Sequence, residues 1–91
     1  MYVGAKAGVE GFTRAFAREV SAHSIRVNSI APGPIETDLI AGVANENILG
    51  IVNRQIIRRK FEISEVVTVA NYLLSQESSS ISGQTISIGG H

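Results

Sequence analysis

The chain has no cysteine and no tryptophan, only two prolines, and no excess of either charge: eight Lys or Arg stand against eight Asp or Glu. Without cysteine there is no disulfide and no thiolate zinc site. A metal would have to rest on His23, His91 and carboxylates that share no ligand spacing, so no metal is expected. Balanced charge removes the electrostatic case for nucleic acid or an anionic membrane as partner. No apolar run reaches the roughly 18 residues of a membrane helix. The opening Met1-Tyr2-Val3-Gly4-Ala5-Lys6 lacks the apolar core of a signal peptide, so the expected location is the cytoplasm.

What is present is ordinary for a folded domain, with 44% hydrophobic and 18% charged residues, too apolar for a disordered tail. A chain of 91 residues makes one small domain and hides only about 60–65% of its unfolded surface. Stability from a partner surface is therefore expected.

From Tyr2 to about Ser21 the chain is alanine-rich, free of proline and helical in period. Gly4, Gly8, Gly11 and Ala15 form a stripe of small residues. Ala5, Val9, Phe12 and Phe16 form an apolar stripe beside it. Glu10, Arg14 and Arg18 are expected on the solvent side, with Glu10 and Arg14 paired at i, i+4. Tyr2 and Lys6 share the remaining face. Ile25 to Ala31 is β-branched and stopped by Pro32-Gly33-Pro34, which predicts a strand entering a rigid loop, the place where α/β proteins bind ligands. Glu46 to Ile57 reads as a helix. So does the segment after Ser64, its expected N-cap, where Val66, Val69, Ala70, Leu73 and Leu74 recur at helical spacing. Ser75 to Ser82 reads as a loop and Thr85 to Ile88 as a second strand. Strand, helical connection, strand implies a parallel crossover and an α/β fold.

Tyr2 and Lys6 sit one helical turn apart, so the ammonium favours the ionised phenol and lowers a pKa of about 10 in isolation. A tyrosine so placed serves as acid and base. Taken alone the pair also reads as a half-buried aromatic beside a snorkelling lysine. Gly4, Gly8 and Gly11 imitate a phosphate loop but lie inside a helix with no strand before it, so helix packing explains them better. Arg54, Arg58, Arg59 and Lys60 form a basic cluster that reads as solvated surface, with an acidic carrier protein as the alternative.

Four stretches in this order, Tyr2-Val3-Gly4-Ala5-Lys6-Ala7-Gly8-Val9, Ile25 through Ser29-Ile30-Ala31-Pro32-Gly33-Pro34 to Asp38, Ser82-Gly83-Gln84-Thr85, and Gly89-Gly90, resemble the C-terminal third of short-chain dehydrogenases/reductases. The look is nearest to the 3-oxoacyl-acyl-carrier-protein reductases and related carbonyl reductases. The resemblance implies the C-terminal portion of a Rossmann-like doubly wound parallel sheet, with residues 1–91 a single fragment and the glycine-rich cofactor-binding half absent. It implies an NAD(P)-dependent oxidoreductase acting on a carbonyl or alcohol, with a small-molecule or acyl-carrier substrate. Tyr2 would be the proton donor or base, and Lys6 would hold the nicotinamide ribose and assist Tyr2. Pro32, Gly33, Ile35 and Thr37 would contact the nicotinamide end of NAD or NADP. The family's glycine-rich loop, catalytic serine and catalytic asparagine have no match among these residues, so the isolated chain is expected to be inactive and to bind no cofactor.

The resemblance also implies homo-oligomers, a tetramer for the parent and a dimer for the fragment, because the Phe12 and Phe16 face and the edge of the first strand are expected to lack cover. The alternative reading is a non-catalytic self-associating module. Two departures stand out. Ile56-Ile57-Arg58-Arg59 replaces a Pro-Leu-Gly-Arg-like stretch near the substrate lid, and Ile88 replaces the usual Asp or Asn before the terminal glycines.

Overall fold

The computed structural model describes residues 2–35 and 45–90. The expected first helix forms as α1, Tyr2–Val20, and runs into a 3-10 turn at Ser21–His23. Its inward face is not the large apolar stripe, and Phe12 and Phe16 lack cover as expected. Val9, Phe12 and Phe16 are exposed, Phe12 to 68%, and the buried positions are the smaller Thr13 and Ala17. Glu10 is partly buried and its carboxylate meets Lys6 at 2.9 Å. Small residues at 13 and 17 let the helix approach the strands closely, and that rotates the bulky stripe outward. Phe12 and Phe16 stack on each other, with ring centroids 5.7 Å apart.

The first strand is shorter than expected: β1 is Ser29–Ala31. Residues 26–28 lie outside the ladder and are bonded through side chains and single contacts. The Val27 amide donates to Ser82 Oγ, and Asn28 Oδ1 accepts from the Gln84 amide while its Nδ2 donates to Ile81 O. Gly83 N donates to Val27 O. The second strand, β2, is Thr85–Ser87. It lies parallel to β1 with Ser29 opposite Thr85, Ile30 opposite Ile86 and Ala31 opposite Ser87. The expected parallel pairing is thus found, and the Ile88 amide extends it by donating to Ala31 O at 2.9 Å.

Between the strands come α2, Asn45–Asn53, and α3, Ile63–Leu74. The expected second helix reached Ile57. It stops at Asn53: the Arg54 and Gln55 amides close a tighter last turn on Ile51 O and Val52 O, and Ile56 N and Ile57 N then donate to Gly89 O, at 3.1 and 2.9 Å. The N-cap of α3 is Glu62, not Ser64. Glu62 and Glu65 form a reciprocal capping box in which the Glu65 carboxylate accepts the Glu62 amide at 2.8 Å. Val66, Val69, Ala70 and Leu73 are partly buried as the period required, whereas Leu74, the last helical residue, is 84% exposed. The serine-rich loop contains a 3-10 turn, Gln76–Ser78, with Ser78 fully buried.

The long connection is held by Arg26. Its guanidinium donates to Ser78 O at 2.8 Å, to Ile81 O at 3.0 Å and to Leu73 O at 3.1 Å. These carbonyls lie at and beyond the C-terminal end of α3, where main-chain acceptors lack helical partners and a cation is favoured.

Candidate functional site

Helix α1, the end of β1 and the start of β2 enclose a groove of about 220 Å³ lined by Ala5, Lys6, Val9, Ile30, Ala31, Pro32 and Thr85. The walls are mainly apolar, and Lys6 brings the one ammonium. Strand β1 delivers the loop to this edge because Pro32 and Pro34 end the ladder. Of the sequence-predicted residues, the structure brings Lys6 and Pro32 together here. Tyr2 belongs to α1 one turn before Lys6, but its side chain and the whole of Thr37 lie outside the described residues.

Lys6 is partly buried and its Nζ is 2.9 Å from Glu10 Oε1. The ion pair ties the lysine to its own helix. Beneath the groove, the buried Thr13 Oγ1 donates to Val9 O at 2.7 Å and lies 3.1 Å from Ser29 Oγ, which is itself 2.8 Å from Thr85 Oγ1. A chain of three hydroxyls thus joins α1 to both strands.

Gly33 and Ile35 are set from the opposite side of the loop. Ile35 pairs with Phe61 in an isolated parallel bridge, and the Phe61 amide donates to Pro34 O at 2.7 Å. A Cβ at Gly33 would lie 2.7 Å from Gln55 Nε2 and 3.0 Å from Ile88 O, so any larger residue there would force the Gln55 carboxamide to shift. Gly89 has φ of +92° and supports the same side chain. Gln55 is 5% exposed and Phe61 2%. Neither was singled out by the sequence. A lone Phe between charged neighbours was the available signal for a core position, whereas nothing in the pattern marks Gln55.

The basic cluster is exposed, as expected. Within it Arg59 is engaged: its two terminal nitrogens donate to Glu65 at 2.7 and 3.1 Å, and its guanidinium lies 4.4 Å from the Phe61 ring centroid. The Arg59 hydrogen bonds, with the Glu62 amide as second cause, hold the Glu65 carboxyl down at about 2. Among the described residues no three His, Asp or Glu gather as metal ligands, and no helix is long and apolar enough to cross a membrane.

The family model described as enoyl-(acyl carrier protein) reductase matches residues 1–90. The 3-oxoacyl-(acyl-carrier-protein) reductase FabG of Salmonella typhimurium is 37% identical over 89 residues, which are 98% of this chain and 36% of that protein. Carbonyl reductase family member 4 of Danio rerio is 42% identical over 90 residues, covering 99% of this chain and 36% of the relative. The crystal structure of a 3-oxoacyl-(acyl-carrier protein) reductase from Brucella melitensis superposes with a TM-score of 0.80 at 42% identity, covering 98% of this chain and 34% of that one. The chain thus spans about a third of the length of the relatives it matches, and its helices and parallel strands are a piece of their Rossmann-like α/β fold. With the model match running from end to end and the same order of helix, strand, loop and terminal glycines, these residues belong to the short-chain dehydrogenase/reductase family.

Proposed function

We propose that residues 1–91 supply the carbonyl-side third of an NAD(P)-dependent oxidoreductase that interconverts a carbonyl and an alcohol. The observation that supports this most directly is the groove in which Lys6 of α1 meets Pro32 at the end of β1. Its volume, about 220 Å³, is below the roughly 300–1,000 Å³ of a whole ligand site. It suits one ring of a dinucleotide, not the whole molecule, and its apolar walls with one cation at the rim fit the nicotinamide end. Lys6, Pro32, Gly33, Ile35 and Thr37 would hold that end, the loop through backbone groups and Thr37 through its hydroxyl. When bound, the cofactor gives or receives hydride.

The chain's own part is proton handling and orientation. Tyr2 donates its hydroxyl proton to the carbonyl oxygen, or accepts one from the alcohol. Lys6, one turn on, favours the phenolate through its charge, and Glu10 fixes the lysine stem from below. The substrate class follows the names of the relatives, a 3-oxoacyl group on a carrier protein or a small carbonyl compound. The matched relatives are about three times longer, and the glycine-rich loop, serine and asparagine of the family have no counterpart in these residues, so the segment by itself gives no turnover.

The test replaces the matched third of the Brucella melitensis reductase with residues 1–91. The chimera should reduce a 3-oxoacyl substrate with NADPH or NADH, and Tyr2→Phe should abolish turnover while leaving cofactor binding nearly unchanged. Retention of more than about 10% of the rate would mean that less than about 1.4 kcal/mol of barrier rests on Tyr2, and the assignment would be wrong. A second reading, a self-associating module without catalysis, is favoured by the exposure of Phe12 at 68% and Phe16 at 42%. Both readings place this face in a homo-oligomeric contact.

A further inference from the structure

We infer that Gln55 is a positioning residue that sets the Pro32-Gly33-Pro34 loop from behind, and that its side chain, together with the Phe61 backbone, couples the end of α2 to the proposed nicotinamide site. The inference rests on the oxidoreductase reading for its functional meaning, but its geometry stands independently. Gln55 lies just past α2, where the Gln55 amide still bonds Val52 O at 3.1 Å. Its side chain then turns inward and is 5% exposed, although nothing on its own helix requires burial of a polar group.

The carboxamide is wedged between two glycines far from it in sequence. A Cβ at Gly33 would lie 2.7 Å from its Nε2 and 2.9 Å from its Oε1, and a Cβ at Gly89 would collide with Oε1 and with the Phe61 ring. The chain that follows Gln55 is pinned beside the same two places. Ile56 N and Ile57 N bond Gly89 O, and Phe61 N bonds Pro34 O. Residues 55–61 therefore form a clasp around the loop, and the amide of Gln55 is the part that touches Gly33.

Oε1 is buried and, among the described residues, meets no hydrogen-bond donor. An orphaned buried acceptor destabilises a fold, so its retention calls for another reason than hydrogen bonding. The shape and volume of the carboxamide against Gly33 supply one: a flat group fills the space that the missing Cβ leaves. This also explains how the departure from a Pro-Leu-Gly-Arg-like stretch at Ile56-Ile57-Arg58-Arg59 is accommodated. The segment reaches the loop through Gln55 and Phe61 on either side of it.

The test is a double-variant cycle in the 91-residue chain, read by thermal unfolding and by the amide NMR signals of Gly33, Ile35 and Phe61. Gly33→Ala should lower Tm by about 4–8 °C and shift those signals. Combined with Gln55→Ala, which removes the colliding group, at least half of the loss should return. Gln55→Met keeps length and volume without the orphaned oxygen. It should leave the loop signals in place and the Tm equal or higher, while Gln55→Ala alone should move them. Strictly additive Tm changes, or loop signals indifferent to Gln55→Ala, would overturn the positioning role.

In the Brucella chimera, Gln55→Ala should raise KM for the cofactor several-fold with little change in kcat, and Gln55→Met should restore it. An unchanged KM there, with Tyr2→Phe inactive, overturns the inference and leaves the oxidoreductase reading intact. An active Tyr2→Phe chimera with a non-additive cycle does the reverse.

Discussion

Removing the Arg26 guanidinium should destabilise the chain more than loss of any other surface charge. Five acceptors surround it: Ser78 O and Ser78 Oγ at 2.8 and 3.2 Å, Ile81 O at 3.0 Å, Leu73 O at 3.1 Å and Ser75 O at 3.4 Å. A hydrogen bond from a charged donor contributes roughly 1.5–3 kcal/mol. The contributions do not sum, because each carbonyl keeps another donor. Leu73 O still accepts from Ser78 Oγ, Ser75 O from Ser78 N, Ser78 O from Ile81 N, and Ile81 O from Asn28 Nδ2. Arg26→Met keeps the apolar stem and should therefore cost about 3 kcal/mol in total. Arg26→Lys, a single point donor that cannot span Leu73 and Ile81 together, should cost about 1–2 kcal/mol. A chain of 91 residues has a total stability of about 5–14 kcal/mol, so the Met variant should lose more than about 10 °C in Tm. Urea unfolding followed by circular dichroism measures this, at two protein concentrations so that association is separated from folding. Amide exchange at Ser78 and Ile81 should accelerate in parallel. A Met variant within about 0.5 kcal/mol of the parent, the range of an inconsequential surface change, would show that Arg26 does not hold the connection.

Three further outcomes follow from the same contacts. The Glu65 carboxyl, held at about 2 against a reference of 4.5, is lowered on folding, so its contribution is fully present above about 4.5 and is lost as pH falls towards 2; carbon NMR titration should show the low midpoint and its rise in Arg59→Ala, and an ordinary midpoint in the parent would refute the pairing. Thr13→Val should cost about 1 kcal/mol by cutting the hydroxyl chain to Ser29, with the loss absent if Ser29 has already been changed to Ala; independent effects would show that the chain is not a unit. Among the described residues nothing lies within 4 Å of a Cβ at Gly8 and Leu is the better helix former, so Gly8→Leu should not destabilise the monomer and should weaken self-association through α1; analytical ultracentrifugation at about 100 μM checks this, where a stable monomeric parent would refute association and an unchanged dimer in the variant would refute the α1 contact.

The sequence by itself determined what depends on near neighbours. The uninterrupted helical period from Tyr2 places Lys6 one turn along, and Pro32 and Pro34 can only end a strand, so α1, α3, the strand-to-loop edge and the family were legible in it. Tertiary structure decided which face of α1 turns inward, since close approach to β1 selects Thr13 and Ala17 over the larger Val9, Phe12 and Phe16. It decided that Glu10 meets Lys6, that residues 26–28 leave the ladder for side-chain bonds, and that α2 ends at Asn53. It also decided that Gln55 and Phe61 close on the loop. Arg26 finds Ser78 and Gln55 finds Gly33 and Gly89 only when the parallel pairing of β1 with β2 has folded the long connection back. Such contacts join groups tens of residues apart in the chain, where local periodicity carries no information and packing and hydrogen-bond satisfaction in three dimensions choose the partner.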